Sequence, residues 1–400
     1  MRLSYGDNPI FATHRVAVTG LGVVSGLGLN LESFWQGLLT PPPPGIRRAE
    51  GFDPTQWLNA KEIRRHDRYN QMGVAAADMA LADAGNPSYP ADRVAVWMGT
   101  GVGGLESLEN QVVIGNERGY SRVSPFLVPL MMANSNAASI SMRFGFQGPC
   151  ETSVTACAAS NHAIANAAHL VATGRVDMAV TGGAEAAITK TASAGFVNMT
   201  ATSKVDISRP FDRNRDGFVM GEGAGVVVLE DYDKAVARGA RIYATIDGIA
   251  STADAFHITQ PAPGGVGAHR AMLMAIEDAG ITVNEIAHIN AHGTSTPMND
   301  LAEATAIRSL FGDLNPPVTS VKGALGHALG AAGGLEAVAV GLTFAHQLIP
   351  PTANTIDLDP EVDIDVVLKD PRPLPTGHIL SNSFGFGGHN ACIVFGPPPS

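Results

Sequence analysis

Charge is scarce in this chain. Asp, Glu, Lys and Arg make up 16% of its 400 residues, while 45% are hydrophobic; an average soluble domain is about 25% charged. That balance is the opposite of a disordered chain's. So little charge cannot cover a whole exterior, and some surface is expected to be buried against another subunit. Cysteine is scarcer still: Cys150, Cys157 and Cys392 are an odd number and too few to staple a fold. Basic residues number 26 against 37 acidic ones, for a net charge of −11, which argues against nucleic acid or an anionic membrane as the main partner. The longest helix-like apolar stretch, Ala328 to Ala345, contains Glu336 and four glycines and reads as a core helix, not a membrane span. The opening string MRLSYGDNPIFATHR lacks the charged-then-apolar order of a secretory leader. The sequon at Asn198 therefore carries no weight, and a reducing cytoplasm is the expected location. No Cys/His spacing suits zinc, and no metal is expected.

What the chain does have is alternation. Val16–Val18, Val94–Met98, Met178–Thr181, Val226–Leu229, Ile286–Asn290 and Ile393–Phe395 read as buried strands, and Met72–Ala84, Asn161–Ala172, Ala268–Ala279 and Leu301–Leu310 as helices. This predicts an α/β layered fold with largely buried sheets. Pro41–Pro44 is a loop signal, and Pro397–Pro399 ends the last strand. A faint duplication runs through the pattern. A helix ending Asp83-Ala84-Gly85 and a helix ending Asp278-Ala279-Gly280 are each followed by a strand and a Gly/Thr loop; Thr152-Ser153-Val154 and Thr319-Ser320-Val321 each head a strand that runs into a helix. Two halves of one topology would bring residues near 157, 292 and 327 together; chance likeness among short Ala/Gly strings is the alternative.

Cys157 follows the apolar strand Ser153–Ala156 and opens the helix Ala158–Ala172. A thiol there meets the positive end of the helix dipole and free N–H groups, which favour the nucleophilic thiolate; a small buried residue is the plainer reading. Cys150 and Cys392 lack such a turn and read as packing. His292, in Asn290-Ala291-His292-Gly293-Thr294-Ser295-Thr296, stands at a strand end among small residues, and His327 stands at a helix start, where the dipole disfavours the imidazolium. Each alone suits a structural histidine equally well; together with Cys157 they say more. Lys322, in an apolar setting, and Glu336, the one acid of the next helix, are expected to pair and hold the His327 loop, unless both reach solvent. The loop Ser383-Phe384-Gly385-Phe386-Gly387-Gly388 is glycine-rich enough for its N–H groups to approach a substrate oxyanion, or is a turn with two core phenylalanines.

Three other features compete for attention. Gly99-Thr100-Gly101-Val102-Gly103-Gly104 fits a dinucleotide fingerprint after a strand, but leaves Cys157, His292 and His327 unexplained. Asp212-Arg213-Asn214-Arg215-Asp216-Gly217 starts like a calcium loop but has Gly223 where a bidentate Glu is required. Arg47, Arg48, Lys61, Arg64, Arg65 and Arg68 form either a dock for an acidic partner or a solvated face.

These strings together carry a resemblance. Val18-Thr19-Gly20-Leu21-Gly22, Thr155-Ala156-Cys157-Ala158, Arg209-Pro210-Phe211-Asp212, Asp216-Gly217-Phe218, Gly221-Glu222-Gly223-Ala224-Gly225, the His292 and Lys322/His327 motifs and Asn382–Gly388 resemble the β-ketoacyl-acyl carrier protein synthases of the KAS I/II type, in the thiolase-like superfamily. The resemblance runs from about Arg15 to Gly396. It implies a thiolase-like, five-layered αβαβα α/β sandwich of two similar halves, here taken as residues 1–250, with Cys157 and an insertion, and 251–400, with His292 and His327. It implies an obligate dimer and no cofactor. Cys157 would accept an acyl group from acyl carrier protein, and His292 and His327 would stabilise charge as malonyl-carrier protein loses CO₂. The N–H groups of Cys157 and Phe386 would form the oxyanion hole, with Phe386 also the gating residue and Lys322/Glu336 a structural pair. Thr294 and Thr296 would contact the phosphopantetheine arm. Val102, Phe196 and Phe384 would line the substrate pocket, and Lys61, Arg64 and Arg65 would meet the carrier.

His389 departs from the pattern, standing where many relatives have Thr, and the stretches Phe52–Lys61 and Phe196–Arg209 look short. Short loops also occur in ketosynthase subunits of type II polyketide systems, which pair with a chain-length factor. The expected function is therefore decarboxylative chain elongation of fatty-acyl or polyketide type, by a homodimer or such a heterodimer. A non-catalytic chain-length factor would lack the nucleophile, an NAD-dependent oxidoreductase rests on the glycine motif alone, and a degradative thiolase would need a second acid/base cysteine in the Gly loop, where Cys392 does not sit.

Overall fold

The computed structural model describes residues 14–40, 43 and 45–399. The string read for a leader lies almost wholly outside the described residues, as do Pro41, Pro42 and Pro44 of the Pro41–Pro44 loop signal. The strands are β1 (Val16–Ser25), β2 (Val94–Gly99), β3 (Cys150–Ser153), β4 (Met178–Glu185), β5 (Gly223–Asp231), β6 (Ala244–Ala253), β7 (Ile286–Asn290), β8 (Val318–Thr319), β9 (Leu348–Ile349), β10 (Arg372–Pro373), β11 (His378–Gly385) and β12 (His389–Gly396). β9 and β10 form a small ribbon of their own. The others follow the order β3-β2-β4-β5-β1-β6-β12-β11-β7-β8.

That order is one pattern used twice. β3, β2 and β4 are parallel, and β5 and β1 are added antiparallel. β8, β7 and β11 are parallel, and β12 and β6 are added antiparallel. The two five-strand sets meet where Val16–Val18 pairs with Ala244–Ile246. The second set starts with β6, and residue 250 lies inside that strand. Between β2 and β3 the first repeat inserts helices Leu105–Arg118 and Leu127–Met131 before Ser135–Phe144, which stands where the second repeat has Pro297–Phe311.

Helices complete five layers. Arg68–Asp83 and Ser135–Phe144 cover the outer face of the first sheet; Val266–Asp278 and Pro297–Phe311 cover that of the second; Ala159–Ala172 and Ala332–His346 lie between. The apolar clusters follow the same division. One, with Ile164, Val171, Leu335 and Val338, fills the middle; one, with Met72, Ala76 and Ile140, backs the first sheet; one, with Met272, Ile276 and Ile307, backs the second. β1, β4 and β5 are buried along their whole length, which is why they read as apolar runs and not as alternation. Of the stretch Leu329–His346, 89% is buried inside the fold; it is the central helix and its lead-in.

Inner helix and sheet approach at backbone distance. A Cβ on Gly225 of β5 would lie 2.3 Å from Gly334 C. Gly225→Ala is therefore expected to destabilise the fold by about 1–3 kcal/mol, the usual cost of overpacking, with a lower midpoint in urea unfolding; an unchanged midpoint would contradict the packing argument.

Candidate active site

The first repeat places its cysteine on a strained turn. β3 ends at Ser153, short of the strand expected to reach Ala156, and a 3₁₀ turn, Ala156–Ala158, precedes the helix Ala159–Ala172. Ala156 has φ +50°, a left-handed conformation uncommon for a residue with a side chain. His162, one turn into the helix, braces this elbow: its Nδ1 lies 2.8 Å from Thr155 Oγ1 and its Nε2 2.9 Å from Ser251 Oγ. His389 stands edge-on to His162 with ring centroids 6.5 Å apart.

The second repeat differs at the corresponding place. Between β8 and its inner helix it inserts a short helix, Lys322–Leu325, and this insertion brings Lys322 and then His327. His327 Nε2 lies 3.0 Å from Cys157 Sγ. The His292 and His327 rings meet edge to face, centroids 5.6 Å apart; Phe218 closes on His327 and Phe384 on His292. Lys322 and Glu336 form a fully buried ion pair. Lys322 Nζ also donates to His292 O at 2.7 Å and lies 3.4 Å from His292 Nδ1. The pair thus holds the His292 loop, not the His327 loop as expected. An ammonium can only donate, so His292 Nδ1 is the acceptor and its Nε2 carries the hydrogen.

Burial governs the protonation states. Both histidines are pushed well below the ordinary imidazole value, by desolvation first and then by the Lys322 charge; they are neutral at neutral pH. The Cys157 thiol is pushed up to about 11. Desolvation there outweighs Lys322 and the N–H groups of Phe386 and Cys157 itself, which corrects the expectation that the helix terminus alone leaves a thiolate.

A cavity of about 440 Å³ opens over these groups, within the usual range for ligand sites. Cys157, His292, His327, Phe196, Thr294, Thr296, Phe384 and Phe386 all line it. Thr294 and Thr296 hydroxyls bond each other at 2.9 Å. Val102 does not line it: the Gly101 N–H turns inward to Glu185, and the Val102 side chain is 46% exposed. Lys61, Arg64 and Arg65 are exposed on the turn around the helix Ala60–Ile63, with Arg65 over the Phe126 ring. Arg47, Arg48 and Arg68 are otherwise engaged. Arg47 donates to Gly45 O and Ala324 O, and Arg48 and Arg68 pair with Glu222. Cys150 is exposed at the start of β3, not packed; Cys392 is buried and donates to Asn382 Oδ1.

Two buried acids escaped the reading of the sequence. Glu303 accepts from His292 N at 2.8 Å, Gly293 N at 2.7 Å and Asn382 Nδ2 at 3.2 Å, and so fixes the His292 loop. Glu185 binds the glycine motif: Gly101 N at 2.5 Å, Thr100 Oγ1 at 3.1 Å and, from the other repeat, Gly330 N at 3.1 Å. Burial raises each to about 7. With the Gly101 N–H taken by Glu185 and the Gly103 N–H by Thr100 Oγ1, the fingerprint has no such N–H groups left for a pyrophosphate, which removes the oxidoreductase reading. The calcium-like loop is likewise committed: Asp212 accepts from the N–H groups of Asn214, Ile356 and Asp357.

Residues 44–235 match the model of the β-ketoacyl synthase N-terminal domain, and residues 243–355 that of its C-terminal domain. The chain belongs to the β-ketoacyl synthase family. It is an acyltransferase of the condensing type. The 3-oxoacyl-[acyl-carrier-protein] synthase 2 of Synechocystis is 44% identical over 95% of this chain and 97% of its own length; that of Staphylococcus aureus is 41% identical over 95% and 98%. Among solved structures, the ishigamide ketosynthase/chain length factor superposes with a TM-score of 0.90 at 33% identity, covering 96% of this chain and 99% of that one. A β-ketoacyl synthase from Burkholderia phymatum does so with 0.89 at 32%, covering 96% and 100%.

The buried pair makes its own prediction. Lys322→Met leaves the Glu336 carboxyl buried and unpartnered and is expected to cost about 3–5 kcal/mol in urea unfolding, whereas Lys322→Met with Glu336→Leu recovers most of the loss. Equal stability of the single and double variants would refute the pairing argument.

Proposed function

We propose that the protein elongates acyl chains by decarboxylative condensation, with Cys157 as nucleophile. The observation that carries this reading is the Cys157 Sγ–His327 Nε2 contact at 3.0 Å, facing a neutral His292 across one cavity. In the first step Sγ attacks the thioester carbon of an acyl-carrier protein. The bond to the carrier sulfur breaks, and the thiol proton leaves with that sulfur. In the second step malonyl-carrier protein enters, its arm along Thr294 and Thr296. The malonyl carboxylate leaves as CO₂, and the electron pair of the broken C–C bond passes to the α-carbon as an enolate. The N–H groups of His292 and His327 stabilise the enolate oxygen. The α-carbon then attacks the acyl carbon on Cys157; the N–H groups of Cys157 and Phe386 hold the tetrahedral oxyanion, and the C–S bond breaks to release 3-oxoacyl-carrier protein and a Cys157 thiolate, which takes up one proton from solvent. Two neutral imidazoles suit this step better than imidazolium ions, because they strengthen their hydrogen bonds as charge develops without repelling Lys322. As balanced, the reaction consumes no metal or organic cofactor.

Acyl carrier protein is the partner, met by Lys61, Arg64 and Arg65, a cationic patch on an acidic molecule. Val102, Leu108, Val112, Val113, Val128 and Met132 leave an apolar face uncovered; a second ketosynthase subunit covers it and turns Val102 toward the acyl chain. A homodimer in fatty-acid synthesis is favoured by the 44% identity to a 3-oxoacyl-[acyl-carrier-protein] synthase 2. A heterodimer with a chain-length factor in polyketide or polyene synthesis is the second reading, supported by the superposition on the ishigamide ketosynthase/chain length factor. Its three cysteines are unpaired, in keeping with work in a reducing cytoplasm.

Intact mass after incubation with acyl-carrier proteins is expected to show an acyl-sized increase that Cys157→Ala loses while keeping its fold; loading retained in that variant would sink the assignment. Reversing charge at Arg64 and Arg65 is expected to raise KM at least tenfold for carrier-bound substrates and less than twofold for small thioester mimics. Equal effects on both would remove the docking role.

A further inference from the structure

The duplication leaves a second copy of the nucleophile's turn. In the first repeat Ala156 (φ +50°) opens the 3₁₀ turn, Cys157 is its middle residue, and the inner helix follows. In the second, Leu329 (φ +47°) opens the 3₁₀ turn Leu329–Ala331, Gly330 is its middle residue, and the inner helix Ala332–His346 follows. Each turn is met by the other repeat's antiparallel strand pair. Gly385, in the last register position of β11 opposite His389, sits against Thr155 O and Cys157 N. Glu185, in the last register position of β4 opposite Gly223, sits against Gly330. A nucleophile's Cβ at Gly330 would strike Gly101 N at 2.1 Å. The Gly330 N–H, counterpart of the Cys157 N–H, is capped by the Glu185 carboxylate.

We propose that Glu185 is a positioning residue for the condensation: its carboxylate occupies the second repeat's counterpart of the oxyanion site and thereby clamps the Leu329–Ala331 turn, just beyond His327, to the Thr100–Val102 segment. This rests on the function proposed above. The clamp ties together three parts of the reaction. His327 precedes the clamped turn, Leu329 packs on Cys157, and Val102 continues the clamped segment. Glu185 is wholly buried, and among the described residues no Lys or Arg forms an ion pair with it. Burying a carboxylate without a cation is unfavourable, and burial holds its proton up to about 7. The acceptor geometry is therefore what the position supplies. A glutamine keeps the two bonds that make the clamp, its oxygen accepting from Gly101 N and Gly330 N, while its amide donates to Thr100 Oγ1, which turns from donor to acceptor.

The test compares full-length wild type, Glu185→Ala, Glu185→Gln and Thr100→Val. It measures acyl loading of Cys157 by intact mass, and kcat and KM for decarboxylation of malonyl-carrier protein, beside thermal melting. Glu185→Ala is expected to lose at least tenfold in kcat with KM within threefold, because Thr294 and Thr296 are untouched; Glu185→Gln is expected to return kcat to within threefold of wild type. A folded Glu185→Ala with wild-type kcat would overturn the proposal, as would a folded Glu185→Gln as impaired as the alanine variant. If the alanine variant does not fold, Thr100→Val decides, through the loss of one donor to the carboxylate and of the acceptor for the Gly103 N–H in the same clamped segment: a drop in kcat of threefold or more at unchanged KM supports the clamp, and wild-type kcat overturns it. Wild type that takes no acyl group would instead defeat the functional reading itself.

Discussion

The closeness of backbone to backbone at the middle of the molecule underlies the rest of its structure. At a few glycines the inner helices and their lead-in turns meet neighbouring backbone with no side chain between. Gly225 lies against Gly334 and Gly330 against Gly101, at separations that a methyl group would close to between 2.1 and 2.3 Å. Only such an approach lets the strand ends of both repeats converge on one cavity. It also buries the reactive groups on the floor of that cavity. The chain's abundance of glycine, 45 residues, is thus a condition of the site, at a conformational cost that the buried sheets offset.

Burial of those groups then sets the electrostatics. A thiol pushed up, two imidazoles pushed down and two carboxyls raised to about 7 share one cause, desolvation, and it exceeds every local hydrogen bond or charge named alongside it. At neutral pH the thiol and both imidazoles therefore rest uncharged, the two carboxyls are poised near half ionisation, and Lys322 is paired with Glu336. Charge enters with the substrate and meets fixed donors, the arrangement in which electrostatic stabilisation is largest.

Much of this was legible in the sequence, unevenly. Buried strands declared themselves as apolar runs, and the paired Asp-Ala-Gly helix ends disclosed a repeat that the strand order reproduces. Cys157, His292 and His327 stood out because each sits where a strand ends among small residues. Glu185 and Glu303 did not, because two of the three partners of each are backbone N–H groups: the Glu303 partners lie ten or more residues away and one Glu185 partner lies in the other repeat. Nothing local marks such an acid beyond its presence in an apolar or Ala-rich stretch. Arg47, Arg48 and Arg68 misled for a related reason. Composition cannot tell an exposed guanidinium from one spent on Glu222 or on carbonyls. The thiol's protonation misled because a helix terminus is visible in sequence and the depth of its burial is not.

The pairing of Val16–Val18 with Ala244–Ile246 makes the ten strands one continuous surface. Two halves stitched edge to edge have no hinge between them. The cleft of a two-domain enzyme, which swings open on a linker to admit its substrate, is thereby unavailable to this fold. Entry and exit fall instead to small pieces of backbone at the rim. The loop at Gly385–Gly388 is fastened to its neighbour by two hydrogen bonds, Gly387 N to Ile258 O and Asp254 N to Gly388 O. Breaking two such bonds costs a few kcal/mol, far less than separating the paired strands of the scaffold.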